Sequence, residues 1–246
     1  GQADVLRRIA KDGAKAFYEG EVADDMLQTL RAMGGVHQAE DFTSEKPDYT
    51  IPICGDYKGT ELVEHPPNAQ GATAILMLNM LSHFNLSGLD PFGAQRTHIE
   101  AEIAKLAYNA RNRFIADPRH MAREAYLTDP KTATALAALV NPSSVIQAVD
   151  RITETVHKDT IYITVVDKDR MAVSLIYSIF NGFGSGIASE KFGILFQNRG
   201  AGFNLTPGHP NELGGGKRPM HTIIPGMLRQ DQSMLMPFGV MGGQYQ

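Results

Sequence analysis

The sequence has only one cysteine, no excess of positive charge and no long apolar run, and each shortage excludes a class of protein. Cys54 cannot form an internal disulfide or a cysteine-rich metal site, and its apolar neighbours in 51–54 predict a buried, inert thiol. The 23 basic and 27 acidic residues give a net charge of −4, which provides no basic field for nucleic acid. No run approaches the roughly 18 apolar residues of a membrane span. The eight histidines show no zinc-ligand spacing.

What is present is ordinary for a globular protein. The 246 residues suffice for one large domain or two small ones, and 43% of them are apolar, enough for a sizeable core. The chain begins with Gly1 rather than Met, so the true start could be missing and no localisation is predicted.

Residue periodicity divides the chain into a helical part and a stranded part. Helices are predicted for 4–17 (capped by Asp4), 22–33, 72–84, 96–114 and 130–139 (capped by Asp129), with one hairpin at 51–64. Strands are predicted at 160–167, 172–179, 193–197, 221–224 and 233–236, with a long loop over 198–217. A helical half followed by a stranded half indicates the α+β class.

Thr160 is the most informative residue. It opens the alternating strand Thr-Ile-Tyr-Ile-Thr-Val-Val-Asp, and a polar turn at 168–170 leads to a second strand. Hydrolases with an N-terminal nucleophile cut their own chain before such a residue, and the freed α-amine then activates the neighbouring hydroxyl. A β-prone threonine that starts an ordinary strand is the alternative interpretation.

The ordered segments together resemble the γ-glutamyltranspeptidases (glutathione hydrolases). The family hallmark Thr-Thr-His-x-Ser-Val-Val-Asp corresponds to 160–167, and it is followed by a second strand and by Phe-Gly-Ser-Gly at 183–186. Lys-Arg-Pro at 217–219 resembles the family's Arg-Pro segment, and Gly242-Gly243 resembles its oxyanion turn. Matching pieces in the first half extend the resemblance over essentially the whole chain.

The resemblance implies a four-layer αββα sandwich with the N-terminal-nucleophile hydrolase fold. It also implies a precursor that is cut between Asp159 and Thr160 into a large and a small subunit. Residues 1–159 then represent the mostly helical C-terminal part of the large subunit, and 160–246 the mostly stranded N-terminal part of the small one. The start of the large subunit and the end of the small subunit are expected to lie outside this sequence.

The family mechanism maps onto named residues. Thr160 is expected to be the nucleophile and, after cleavage, its α-amine the base. The N–H groups of Gly242 and Gly243 would form the oxyanion hole, although a plain tight turn also favours glycine. Ser178 matches the position whose hydroxyl orients the threonine amine, or it is only a solvent-facing strand serine.

The departures from the family pattern concern the substrate. Gly202 stands where the family has the acid that holds the glutamyl ammonium group, and Arg199 adds positive charge nearby. Met220-His221 replaces a Ser-Ser pair, and the family asparagine aligns with Phe180 unless a one-residue shift brings in Asn181. The second hallmark threonine is Ile161. Arg199, His221 and Asn181 are therefore the candidate substrate-binding residues, and the pattern resembles the acylase-like and oxamate amidohydrolase branch.

The sequence thus predicts an amide hydrolase or acyltransferase that attacks a γ-glutamyl or related amide and passes the acyl group to water or an amine. Two alternatives stay open: an amidohydrolase for a small anionic amide such as oxamate, and a catalytically silent scaffold. The resemblance implies no metal or organic cofactor, a small-molecule amide as partner, no nucleic acid, and a large–small heterodimer after self-cleavage that could pair further.

Overall fold

The computed structural model describes residues 1–147 and 160–243. Two compact units can be distinguished by their internal contacts. The first comprises Gly1–Tyr49 and Ile179–Asn198, and the second comprises Thr50–Ser178 and Arg199–Gln246. These two units are defined by contacts, whereas the predicted subunit boundary between 159 and 160 is a cleavage site. Asp159 lies outside the described residues, so this boundary stays a prediction.

The first unit is helical and contains α1 (Gln2–Asp12), α2 (Lys15–Tyr18), α3 (Glu21–Ala32) and α4 (Ala39–Thr43). Phe192 fills the space between α1 and α3, where it packs with a small apolar cluster formed by Val5, Val22, Ala23 and Met26. The Asp25 carboxylate fixes the Phe192 segment because it accepts hydrogen bonds from the backbone N–H groups of Lys191 (3.0 Å) and Phe192 (3.1 Å).

The helix ends in this unit test two predictions. The glycine stop after α3 is confirmed: Gly34 has φ 86°, and the Gly35 N–H donates to the Leu30 carbonyl at 2.9 Å. The Asp4 cap is wrong, because Gly1 occupies the N-cap and Asp4 lies in the first turn. Gly13, with φ 72°, ends α1 and leaves Phe17 in a separate helix.

The helices of the second unit are α5 (Gly71–Leu81), α6 (Ala94–Phe114) and α7 (Pro130–Ala137). Their apolar faces meet in the largest buried cluster of the described chain, which includes Leu76, Met80, Ile103 and Ala107. The predicted cap is confirmed: the Asp129 carboxylate accepts from the Lys131 N–H at 2.9 Å, and Pro130 takes the first helical position. None of the helices in the described part of the chain is both long and apolar enough to cross a membrane.

The strands of the second unit form two antiparallel sheets. They are β1 (Ile53–Tyr57), β2 (Thr60–Glu64), β3 (Thr160–Val166), β4 (Ala172–Ser178), β5 (Gly226–Gln230) and β6 (Ser233–Phe238). Within the described residues, one sheet has the order β1-β2-β5-β6 and the other is the β3-β4 hairpin. The Ser174 hydroxyl of β4 donates to the Phe238 carbonyl of β6 at 3.4 Å and so connects the two sheets.

Three sequence predictions about strands and burial are wrong. Residues 221–224 are not a strand and form a single bridge, between His221 and Ala69. The backbone groups of 221 and 222 bind the 68–70 segment, so they are not available to a neighbouring strand. The strand β5 begins at Gly226. Residues 193–197 likewise form only the bridge from Ala188 to Leu195. Cys54 is exposed, because β1 is an edge strand on which the alternate residues turn inward.

The architecture is mixed α+β, as predicted from the sequence. The hairpin at 51–64 and the hairpin at 160–178 are confirmed, with β3 and β4 paired residue by residue from Thr160↔Ser178 to Val166↔Ala172. The four-layer sandwich remains a prediction about the whole protein.

Candidate active site

Thr160 and Ser178 face each other at the open end of the β3-β4 hairpin. They are partners in the strand register, and the Thr160 hydroxyl donates to the Ser178 hydroxyl at 3.2 Å. Both side chains are half-buried. A strand side chain points to one face, and residues paired directly across an antiparallel ladder share that face. The register of the hairpin therefore brings the two hydroxyls together.

Tyr162, two residues after Thr160 on β3, lies on the same face of the hairpin. Its hydroxyl lies 2.8 Å from that of Ser174, and its ring lies against the backbone of Gly239, where an added Cβ would come within 2.5 Å of the ring. Glycine is therefore required at 239 by the close approach of the aromatic ring. This contact holds the chain that follows β6 beside β3, three residues before Gly242.

Gly242 and Gly243 both have backbone angles that favour glycine. Their φ values are 134° and 76°, and Gly243 is buried whereas Gly242 is exposed. Among the described residues, no neighbouring atom lies within 4 Å of the position that a Cβ on Gly242 would take, so the constraint they show there is the backbone conformation. Successive N–H groups in such a turn can point to one acceptor, which is the geometry an oxyanion hole uses.

Arg199 and His221 are brought together in the second unit. Arg199 is 7% exposed and donates from Nη1 to the Thr222 hydroxyl at 3.2 Å; burial lowers its pKa to about 10, so it is still a cation at neutral pH. Burial, with the positive charge of Arg199 and the neighbouring His65, lowers the pKa of His221 to about 3. Because Nδ1 of His221 accepts from the Ile223 N–H at 3.3 Å, the neutral ring carries its proton on Nε2 as a donor.

The Asn211 side chain joins the segment that carries Arg199 to the segment that carries His221. No pattern in the sequence predicted this role for Asn211. Its amide donates to the Gly202 carbonyl at 2.7 Å and accepts from the Met220 N–H at 2.8 Å. Gly202 itself packs closely, since a Cβ there would lie 3.2 Å from the Met220 carbonyl oxygen. A signal for Asn211 could be sought only in its position within the long loop, where polar residues often bind backbone.

The segment before α5 holds the other side of the Met220-His221 stretch. The Asn68 side chain donates to the Pro219 carbonyl at 2.6 Å, and the Asn68 carbonyl accepts from the His221 N–H at 2.8 Å. The Gln70 side chain donates to the Thr222 carbonyl at 2.7 Å. Three backbone groups around His221 are therefore fixed by residues about 150 positions earlier in the chain.

The remaining predicted site residues are placed as follows. Asn181 belongs to the first unit, where its N–H donates to the Asn198 side chain at 3.1 Å; its own Oδ1 is buried and finds no partner among the described residues. Phe180, its neighbour, is buried at φ 78°. Thr164, an exposed threonine on the same strand as Thr160, is a matched position for comparison. Within 1–147 and 160–243, no cluster of three or more His, Cys, Asp or Glu side chains could hold a metal ion.

The mixed α+β structure has its structural neighbours among the acylases and transpeptidases of the class of hydrolases with an N-terminal nucleophile. The structure is similar to the crystal structure of cephalosporin acylase from Bacillus halodurans, with a TM-score of 0.86 and 35% identity over 98% of this chain and 44% of that one. The sequence profile described as Gamma-glutamyltranspeptidase matches residues 1–246. The chain belongs to that family, and the resemblance inferred from its sequence is confirmed.

Two curated relatives lie in the same family. The chain is 32% identical to the glutathione hydrolase-like YwrD proenzyme of Bacillus subtilis over 244 residues, and 32% identical to the oxamate amidohydrolase proenzyme of Klebsiella pneumoniae over 253 residues. Each match covers 99% of this chain and 46% of the relative. The chain thus spans about half the length of the curated relatives it matches.

Proposed function

We propose that the whole protein is an amide hydrolase or acyltransferase that activates itself by cleavage before Thr160. The observation that carries the proposal is the 3.2 Å hydrogen bond between the Thr160 and Ser178 hydroxyls at the first residue of β3. A strand-leading threonine with a second hydroxyl in reach is the arrangement that this type of nucleophile needs. The proenzyme names of both relatives support a cleaved precursor.

The chemistry begins with activation. The Thr160 hydroxyl attacks the carbonyl carbon of Asp159, and the C–N bond breaks as the peptide becomes an ester, which frees the Thr160 α-amine. Water then hydrolyses the ester to give the Asp159 α-carboxylate and to restore the Thr160 hydroxyl. In the mature enzyme this amine removes the hydroxyl proton as Thr160 attacks a substrate amide, and it then protonates the leaving amine. Water or a second amine finally releases the acyl group. Ser178 would orient the α-amine by accepting a hydrogen bond from its N–H, which leaves the amine lone pair free to take the Thr160 hydroxyl proton.

Gly242 and Gly243 are proposed to bind the oxyanion of the tetrahedral intermediate with their N–H groups. Their positive φ angles support this role, because a side chain would oppose the turn that directs both donors to one point. The two subunits are proposed to stay together as a heterodimer, since β2 pairs with β5 across the proposed cut.

The substrate follows from the charges around Arg199. Glutamyl recognition requires an anionic partner for the substrate ammonium group, and Gly202 supplies no carboxylate. A buried cation at Arg199 and a neutral donor at His221 suit a carboxylate or another anionic group next to the amide. A small anionic amide such as oxamate is therefore the second candidate substrate beside a γ-glutamyl amide, and the name of the Klebsiella pneumoniae relative supports it.

Intact mass spectrometry of the full-length precursor tests self-activation. Wild type, Thr160→Ala and the matched strand variant Thr164→Ala are incubated folded at neutral pH. We expect wild type and Thr164→Ala to give two fragments divided between Asp159 and Thr160, and Thr160→Ala to stay whole. An uncut, folded wild type would overturn the proposal and favour the silent scaffold.

A substrate comparison on the cleaved enzyme tests specificity. Hydrolysis of a γ-glutamyl anilide, oxamate and an uncharged acyl amide is measured for wild type and Arg199→Gln. If Arg199 binds the anionic group, the variant loses oxamate turnover through a raised KM while the uncharged amide is unaffected. Equal losses on all substrates would assign Arg199 a structural role only.

A further inference from the structure

Glu64 is a carboxyl side chain buried in a mainly apolar cavity of the second unit. The cavity measures about 430 Å³, a size suited to a small organic ligand, and it lies between α5 and the four-stranded sheet. β2 places Leu62 and Glu64 on its inward side because strand residues two apart share a face. Glu64 is the one charged residue among the described residues that line the cavity.

The Glu64 carboxyl has unused hydrogen-bonding capacity. The residue is 3% exposed, and its Oε2 atom is buried with no partner among the described residues. The other oxygen is accommodated by Gly226, where an added Cβ would lie 2.9 Å from Oε1. Burial raises the pKa of Glu64 to about 8, although a hydrogen bond from the His65 backbone opposes the shift. Leaving such a group without a partner costs free energy, so a ligand that supplies donors is stabilised there.

Thr73 provides a second acceptor on the same cavity wall. It lies on the first turn of α5, is 2% exposed, and its hydroxyl oxygen is also without a partner in the described structure. Gln70 lines the cavity too, but its amide is already engaged with the Thr222 carbonyl and with Arg111. Tyr108 also lines the cavity. Glu64 Oε2 and the Thr73 hydroxyl are thus the two lining oxygens that are buried without a partner among the described residues, and most of the wall is apolar, including Met77, Leu78, Leu81, Leu228 and Phe238.

We propose that this cavity binds a small primary amine with an apolar chain, whose ammonium group donates to Glu64 Oε2 and the Thr73 hydroxyl while the chain contacts the apolar wall. An ammonium group offers three donors and a positive charge, which match two acceptor oxygens and one carboxylate. With its pKa raised to about 8, the carboxyl of Glu64 is ionised only above that pH, where it pairs with the ammonium group and repels an anionic head group. An alcohol provides a single donor and no charge, so it satisfies the site less completely.

The test compares probes that differ only in the head group. Binding of 4-phenylbutylamine, 4-phenylbutanol and 4-phenylbutyrate to the full-length protein is measured by isothermal titration calorimetry at about one pH unit above the pKa of Glu64, so that the carboxyl is ionised. We expect the amine to bind at least about tenfold more tightly than the alcohol, and the carboxylate to bind most weakly, because only the amine pairs with Glu64.

The matched variants are Glu64→Gln and Glu61→Gln on the same strand. Glu64→Gln keeps the shape but removes the charge, so the amine should lose about tenfold in affinity and the alcohol less than about twofold. Glu61 pairs with Arg229 outside the cavity lining, so Glu61→Gln should bind both probes as wild type does. Circular dichroism melting confirms that each variant is folded.

Two results would overturn the proposal. One is an amine affinity that Glu64→Gln leaves unchanged, which would show that the head group lies elsewhere. The other is no binding by folded full-length protein, as expected if another part of the polypeptide fills the cavity. Since no step of the Thr160 chemistry is involved, the uncleaved Thr160→Ala variant should bind the amine like wild type, and this separates the present inference from the proposed function.

Discussion

The Thr160 hydroxyl lies 3.2 Å from the Ser178 hydroxyl, and the two residues are the terminal register pair of the β3-β4 hairpin. The antiparallel ladder places the two side chains on one face, so the hairpin itself contributes the hydroxyl pair on which the proposed self-cleavage would depend.

Removing the Ser178 hydroxyl tests its orienting role. We expect Ser178→Ala to slow both precursor cleavage and amide turnover by about fivefold to tenfold, because one hydrogen bond of about 1 kcal/mol is lost. Cleavage is followed by gel densitometry and turnover by kcat at saturating substrate. The control is Ser174→Ala on the same strand, whose hydroxyl bonds Tyr162 and Phe238 and should affect melting rather than cleavage. Identical cleavage rates for Ser178→Ala and wild type would contradict the assignment.

Gly242→Ala tests the oxyanion turn. At φ 134° an alanine is strained, so we expect a loss of about 1–2 kcal/mol in stability and, because the N–H groups are displaced, a fall of about a hundredfold or more in kcat. Gly59→Ala is the matched control, since Gly59 also has a positive φ and open space around its Cβ position. If both variants melt alike and both keep full activity, Gly242 is only a turn residue.

Asn211→Ala tests the link between the Arg199 and His221 segments. The change leaves the Gly202 carbonyl and the Met220 N–H without their side-chain partner, at a cost of about 2–4 kcal/mol in the free energy of unfolding. If that link positions substrate-binding groups, KM rises more than kcat falls. Asn204→Ala, in the same loop, should leave KM unchanged; a KM effect as large as that of Asn211→Ala would argue against a specific link.

The stability of the protein should depend on pH through Glu64. Its pKa in the folded state is about 8 against an ordinary 4.5, so the folded state holds one more proton than the unfolded state between these values. Stability conferred by the protonated carboxyl is therefore lost as pH rises, by about 1.4 kcal/mol per pH unit within that window. Urea unfolding of wild type and Glu64→Gln at pH 5.5, 6.5 and 7.5 measures the difference. Parallel dependences in the two proteins would show that Glu64 does not carry this effect.

Local sequence patterns correctly predicted the structural features that depend on interactions between residues close together in the chain. The hairpin from Thr160 to Ser178 follows from strict alternation around a polar turn, and the ends of α3 and α7 follow from Gly34-Gly35 and from Asp129-Pro130. Each of these features is decided by hydrogen bonds and backbone angles within a few residues. The segment at 221–224 was predicted wrongly because its β-prone residues say nothing about their partner.

By itself the sequence determined the family, the α+β class, the candidate nucleophile and the local elements that carry it. The tertiary structure alone decided the pairing of β2 with β5, the hydrogen bond from Arg199 to Thr222 beside His221, the Asn211 link and the burial of Glu64. These features join residues far apart in the chain. Periodicity shows which face of a segment is apolar, but the partner of that face, and a carboxyl enclosed on it, are set by packing between distant segments.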